Sequence, residues 1–236
     1  IDGKLRSMTG TAVVPRYYHY GVEADGYQWI QVFVGGADSP RWEKTTRDLA
    51  GRVVRVEKPG FTGIAVTRNA YDAKGRLIRT QAPGRAAILY VYDALGRRAM
   101  VGLDVDGDGR LRPASSDRIL STETGFKKID GAWWEEVVQA VYDRAGSAEE
   151  TVVATRRQRL SGWQPRLVAE QVAVDVHGNR TRTVVTLDRF KHTRIKRRFF
   201  PDSTLPAEAV YVDGRLAAVT TKTGITATFG YDALGR

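Results

Sequence analysis

Apolar residues recur along this chain in short runs of period two, and each run stops at a glycine-bearing turn. Ile225, Ala227, Phe229 and Tyr231 alternate with Thr226, Thr228 and Gly230. A period of two places the first four on one face of a strand and the others on the opposite face. Ala87-Ile-Leu-Tyr-Val91 is an apolar run rich in β-formers. In Ala132–Tyr142, Trp134, Val138, Ala140 and Tyr142 share one strand face. That segment also reads as a helix through Val137, Val138 and Val141, but it runs straight into a turn, which favours a strand. The pattern predicts an all-β fold of repeated antiparallel β-hairpins.

The turns repeat more closely than the strands. Tyr71-Asp72-Ala-Lys-Gly75-Arg76, Tyr92-Asp93-Ala-Leu-Gly96-Arg97 and Tyr231-Asp232-Ala-Leu-Gly235-Arg236 share one pattern. The last two are identical over six residues, 139 positions apart. Weaker copies are Asp48-Leu-Ala-Gly51-Arg52, Tyr142-Asp143-Arg-Ala-Gly146-Ser147 and Asp175-Val-His-Gly178-Asn-Arg180. Such repetition marks a repeated supersecondary unit. The Asp carboxylate is suited to accept backbone N–H groups two or more residues on. The Gly fits a position of positive φ. A type I turn followed by a left-handed Gly at a bulge is a common longer hairpin connection. The Arg then opens the return strand, and the Tyr, in phase with the apolar face, points to the packed side. Shorter two-residue turns are predicted at Asp25-Gly26, Asp213-Gly214 and Asp130-Gly131. These Asp and Arg residues read as architectural; six repeated turns are not six active sites.

Tyr-Asp-x-x-Gly-Arg at spacings of 24 and then 21 residues (Asp48, Asp72, Asp93) resembles the YD repeat of the RHS family. That family includes bacterial RHS proteins, the shell subunits of insecticidal toxin complexes and animal teneurins. The resemblance is strong over residues 48–98 and 209–236 and degenerate over 99–208, with only loose hairpin signals in 1–45. It implies a ribbon of hairpins forming part of a spiral shell, with the 236 residues a fragment of a longer repeat protein. It further implies a non-enzymatic segment of a bacterial secreted or cell-surface protein whose shell encloses or presents its own C-terminal effector or toxin domain. The alternative is an extracellular adhesin or carbohydrate-binding repeat protein without cargo, with cell-surface glycans as partners. Toxin-bearing relatives carry a self-cleavage motif, Asp-Pro-x-Gly. The chain contains no Asp-Pro, so no residue takes that role.

Composition adds limits. Without cysteine there is no disulfide or thiolate chemistry in this segment. No run of 18 apolar residues is present, so no membrane span is expected. The net charge of +10 favours acidic partners in principle. Its densest cluster, Arg189-Phe-Lys-His-Thr-Arg-Ile-Lys-Arg-Arg198, could hold single-stranded nucleic acid but reads more simply as a solvated strand face.

The sharpest candidate chemistry is Asp104-Val-Asp106-Gly-Asp108-Gly109. It matches the first half of a calcium loop. The twelfth position, a bidentate Glu in an EF-hand, is Ser115, and the nearest acid is Asp117. The loop is therefore either a shorter calcium loop, with Asp104, Asp106 and Asp108 as ligands, or an Asp/Gly-rich hairpin loop inserted at 104–109. No other cofactor is implied. His19, His177 and His192 have no metal-ligand spacing. Glu135-Glu136 and Glu149-Glu150 are adjacent pairs facing opposite sides of a strand, unlike a glycosidase pair. Trp29, Trp42, Trp133, Trp134 and Trp163 either stack on sugar rings or fill strand faces.

Overall fold

The computed structural model describes residues 3–162, 166–232 and 234–235. Those residues form eighteen strands and no helix. Contacts divide the chain into two compact units: residues up to Ile119 with Asp143–Ala148, and Leu120–Tyr142 with the residues from Glu149 onward.

The first unit runs through β1 (Ser7–Met8), β2 (Arg16–Val22), β3 (Gln28–Val34), β4 (Trp42–Arg47), β5 (Val53–Gly60), β6 (Gly63–Tyr71), β7 (Leu77–Gln81), β8 (Ala87–Tyr92) and β9 (Arg98–Asp104). Each strand pairs antiparallel with the next. The register slips at Thr46/Arg47, Ala70/Tyr71 and Val91/Tyr92, immediately ahead of the Asp48, Asp72 and Asp93 turns. A bulge there adds a residue to one strand and sharpens the local twist, which lets a five-residue turn close the hairpin.

The second unit holds β10 (Arg118–Ile129, its first two residues grouped with the first unit), β11 (Ala132–Tyr142), β12 (Thr151–Arg159), β13 (Leu167–Asp175), β14 (Arg180–Asp188), β15 (Thr193–Phe199), β16 (Ala207–Val212), β17 (Arg215–Thr220) and β18 (Thr226–Thr228). From β11 to β18 each again pairs antiparallel with its successor. Residues 132–142 form a strand, since the alternation of Trp134 and Ala140 against exposed Trp133 outweighs the helical spacing of the valines. Hairpins continue through 99–208, where the turn motif fades, because the apolar alternation alone suffices to pair the strands.

Full burial of apolar side chains is sparse among the described residues. Ala87, Leu89 and Ile119 are buried in the first unit, and Ala132, Trp134, Ala140, Val172 and Val185 in the second. Ala132, Trp134 and Val172 form a cluster against Ile129 and Val174. A core this thin leaves much of the stability to contacts between successive hairpins, as in other repeat arrays. One sequence expectation fails here. The alternation over Ile225–Tyr231 predicts a packed apolar face, yet β18 spans only Thr226–Thr228, and Ile225, Phe229 and Tyr231 stay exposed. β18 pairs with β17 over three residue pairs, Thr226–Thr228 against Ala218–Thr220.

Candidate functional site

The repeated turn is built alike at Asp48, Asp72 and Asp93. The Asp N–H donates to the Arg carbonyl four residues on (3.0, 2.9 and 2.9 Å), and the Gly N–H returns to the Asp carbonyl (2.9, 2.9 and 3.0 Å). One carboxylate oxygen accepts two more backbone N–H groups: Ala50 and Arg52, Lys74 and Arg76, Leu95 and Arg97. The other accepts the Arg Nε at 2.7 Å in all three. The Arg side-chain hydrogen bond holds the Asp48 and Asp93 carboxyls below the usual carboxylate range. At Asp72 the Arg76 backbone N–H is the largest cause of the same lowering. Gly75, Gly96 and Gly235 have φ of 79°, 82° and 80°, a region that favours glycine.

The turns also tie one hairpin to the next. The Tyr71 hydroxyl donates to the Val53 carbonyl, Tyr92 to Leu77 and Tyr231 to Leu216, each at 2.8 Å. Every acceptor follows an arginine, and that arginine lies over the same tyrosine ring: Arg52 over Tyr71 (4.8 Å to the centroid), Arg76 over Tyr92 (4.5 Å) and Arg215 over Tyr231 (5.7 Å). Tyr20 repeats the arrangement, donating to the Leu5 carbonyl with Lys4 at 5.2 Å from its ring. The next turn's glycine completes the seat. A Cβ on Gly75 would stand 3.2 Å from Arg52 Nη1, and one on Gly235 would stand 2.6 Å from Arg215 Nη2. Arg52 and Arg76 thus each bind their own Asp while packing on the Tyr of the following copy. Neither contact is readable from the motif, although the recurrence of Arg some 16–19 residues before the next Tyr is its trace in the sequence.

The remaining copies differ. At Asp232 the Gly235 N–H closes on the Asp232 carbonyl (2.9 Å) and the Leu234 N–H on its carboxylate (3.0 Å); Arg236 lies outside the described residues. At Asp175 the turn closes with Asn179 where the other copies have Arg, and the Asn179 amide donates to Asp175 Oδ2 (2.9 Å). The sequence at Tyr142–Ser147 does not form this turn. The Gly146 N–H goes to the Ser115 carbonyl (2.9 Å) and the Tyr142 hydroxyl to Glu150. The Asp25-Gly26 expectation is likewise corrected: Glu23 opens a five-residue turn, with its N–H on the Tyr27 carbonyl and the Gly26 N–H on the Glu23 carbonyl. Thr221-Lys-Thr-Gly224-Ile225 closes in the same way. A search for Gly three residues after any small polar or acidic residue would have found both. Asp130-Gly131 and Asp213-Gly214 have positive φ at both residues, the geometry of a two-residue hairpin turn.

Asp104, Asp106 and Asp108 come together: ligand oxygens of the three lie within 4.8 Å of one another. Asp104, at the end of β9, is 3% exposed; its Oδ2 accepts the Gly109 N–H (3.1 Å) while its Oδ1 has no hydrogen-bond partner. Asp106 accepts the Asp108 N–H (3.1 Å), and Asp108 accepts the Arg110 N–H (2.8 Å) and pairs with the Arg112 guanidinium. Asp117 is buried and does not join the cluster. Its two oxygens accept the Val105 and Arg112 N–H groups (2.9 and 3.1 Å), pinning both ends of the loop.

Two buried acids lie on strand faces that alternation assigns to apolar residues. Glu136 is bound by Lys127 and Arg157; Glu170 is bound by Arg159 and Arg182 at 2.6 and 2.7 Å. Burial pushes both carboxyls up, but these hydrogen bonds outweigh it and leave both below the usual range. The available signals were the phase of Glu136 with Trp134 on β11 and of Glu170 with Val172 on β13. Of the tryptophans, Trp134 is buried beneath Arg159, Trp29 packs over Gly21 and beside Lys44, and Trp133 is about half exposed. Trp42 is partly buried, and Trp163 lies outside the described residues. His19 packs on Phe33, His177 sits in the Asp175 turn and His192 meets Asp213. In the basic segment, Arg197 pairs with Glu208 and Arg194 lies over Tyr211. No helix among the described residues is long and apolar enough to cross a membrane.

The chain matches no protein-family model and no curated protein. Among solved structures it is similar to one described as the crystal structure of TcdB2-TccC3-TEV, at 10% identity and a TM-score of 0.20. That match covers 94% of this chain and 19% of the other.

Proposed function

We propose that this chain is a non-enzymatic wall segment of an RHS-like β-shell, part of a bacterial secreted or cell-surface protein that encloses or presents its own C-terminal effector domain. One observation carries the reading. The Tyr, Gly and Arg of the repeated turn serve the neighbouring copy as much as their own hairpin, through the Arg-over-Tyr contact and the Tyr–carbonyl bond. Side chains spent on linking copy to copy belong to a structure whose task is to extend a surface. The Tyr-Asp-x-x-Gly-Arg resemblance supports the same conclusion. The carboxylates of the repeated turns and of Glu136 and Glu170 are each held by backbone N–H groups or cationic side chains.

The test is limited proteolysis of the parent polypeptide, with mass spectrometry of the fragments. A container predicts an unrelated C-terminal domain that resists trypsin until the repeat region is cut. A parent protein without such a domain, or one whose C-terminal domain is digested as fast as the isolated domain, removes the cargo reading. Glycan-array binding by that protein would then favour the adhesin alternative.

A further inference from the structure

We propose that the loop between β9 and β10 is a binding site for one calcium ion, held by the carboxylates of Asp104, Asp106 and Asp108. The proposal is independent of the shell reading.

Two observations carry it together. The first is convergence: three carboxylates offer oxygens within 4.8 Å of one another, the scale of an ion with ligands at about 2.3–2.6 Å. The second concerns Asp104 alone. This residue is 97% buried, and its Oδ1 is inaccessible with no hydrogen-bond partner. A buried carboxylate oxygen left unpaired is costly, and native structures rarely keep one without an ion or water to meet it. A nearby cation removes that cost while Asp104 keeps its strand pairing with Ala87 and its bond from the Gly109 N–H.

The donor set selects the ion class. Only oxygen is offered, with no histidine or cysteine in the cluster. Oxygen-only sites suit hard cations, and of these calcium tolerates irregular geometry and completes its shell with carbonyls and water, whereas magnesium demands a near-ideal octahedron. One buried and two exposed carboxylates on a glycine-rich loop form an adaptable set. The loop is also framed beforehand. Asp117 binds the N–H groups of Val105 and Arg112 at its two ends and thereby stands apart from the cluster. Asp108 is shared with Arg112, whose side chain is 57% exposed. The ion competes with that guanidinium, which is free to swing into solvent.

Isothermal titration of the EDTA-stripped protein with calcium chloride tests this. One saturable site is expected, with a Kd on the order of 10⁻⁴–10⁻³ M, the range of extracellular calcium modules. The double variant Asp106→Asn/Asp108→Asn alters exposed side chains and should keep the native circular dichroism while losing saturable binding in that range, because the number of charged ligands sets calcium affinity. Arg112→Gln, by removing the competitor, should tighten binding several-fold. At calcium about 100 Kd the melting temperature should rise by about 5–10 °C, and the double variant should show no rise. Absence of saturable binding up to about ten times the expected Kd would overturn the proposal. So would undiminished binding by the double variant, or equally tight binding of magnesium chloride.

Discussion

Glycine at the fourth position of the turn answers two demands at once. Its φ near 80° is unfavourable for any residue with a Cβ, and at Gly75, Gly96 and Gly235 the space where a Cβ would stand adjoins an earlier arginine, Arg52, Arg76 and Arg215 respectively. Gly96→Val should therefore destabilise by about 1–3 kcal/mol, read as a lower urea midpoint, whereas Leu95→Val, at a turn position 75% exposed, should change it little. Tyrosine is equally specific. Tyr92→Phe keeps the ring beneath Arg76 but deletes the bond to the Leu77 carbonyl, and should cost about 0.5–1.5 kcal/mol. A Phe variant indistinguishable from the parent protein in thermal melts would show that this bond adds nothing. Arg76→Lys retains the charge but loses the planar fork that meets Asp72 and the flat face that covers Tyr92, so it should lower the melting temperature despite its conservative appearance.

Within the elements, the buried glutamates are the exception to simple alternation. Glu170 on β13 satisfies Arg159 of β12 and Arg182 of β14 together, joining three adjacent strands through one carboxylate. Glu170→Ala should cost about 3–5 kcal/mol, because it leaves Arg159, itself 15% exposed, without its carboxylate partner. Glu170→Ala combined with Arg159→Leu should recover part of the loss, since the uncompensated charge is removed with its partner. A double variant no more stable than the single one in chemical denaturation would argue against the ion pair as the cause. At the hairpin connections, the failed turn at Tyr142–Ser147 shows that Tyr-Asp-x-x-Gly is not sufficient where Ser147 stands in place of the arginine. The Gly146 N–H is captured by Ser115, 31 positions earlier, and the connection opens into a longer loop.

For the molecule as a whole, the repeated carboxylates set the response to acid. Asp48, Asp72, Asp93 and Asp175 in the turns, and Glu136 and Glu170 on the strands, all lie below their ordinary values when folded. A carboxylate lowered by folding stabilises fully above its unfolded value and loses that contribution as the pH falls through its folded one. The melting temperature should accordingly be flat from pH 7 to about 5 and drop steeply below about 4. Asp93→Asn should shrink that drop while lowering the melting temperature at pH 7; an equal acid loss in the variant would show that Asp93 is not among the responsible groups. The all-β succession of antiparallel hairpins and the turns at Asp48, Asp72 and Asp93 were legible in the sequence because both arise within a few residues of chain. Strand alternation reflects which face is covered, while Asp, Gly and Arg supply a carboxylate acceptor, a positive φ and a matching donor inside one five-residue span. The tertiary structure alone decided what depends on register between hairpins: the seating of Arg52 and Arg76 on the next tyrosine, the pairing of Glu170 across three strands, the loss of the Asp143 turn and the burial of Asp104. Those contacts join residues 11 or more positions apart or depend on what covers a strand end, and the pattern within one hairpin does not fix either.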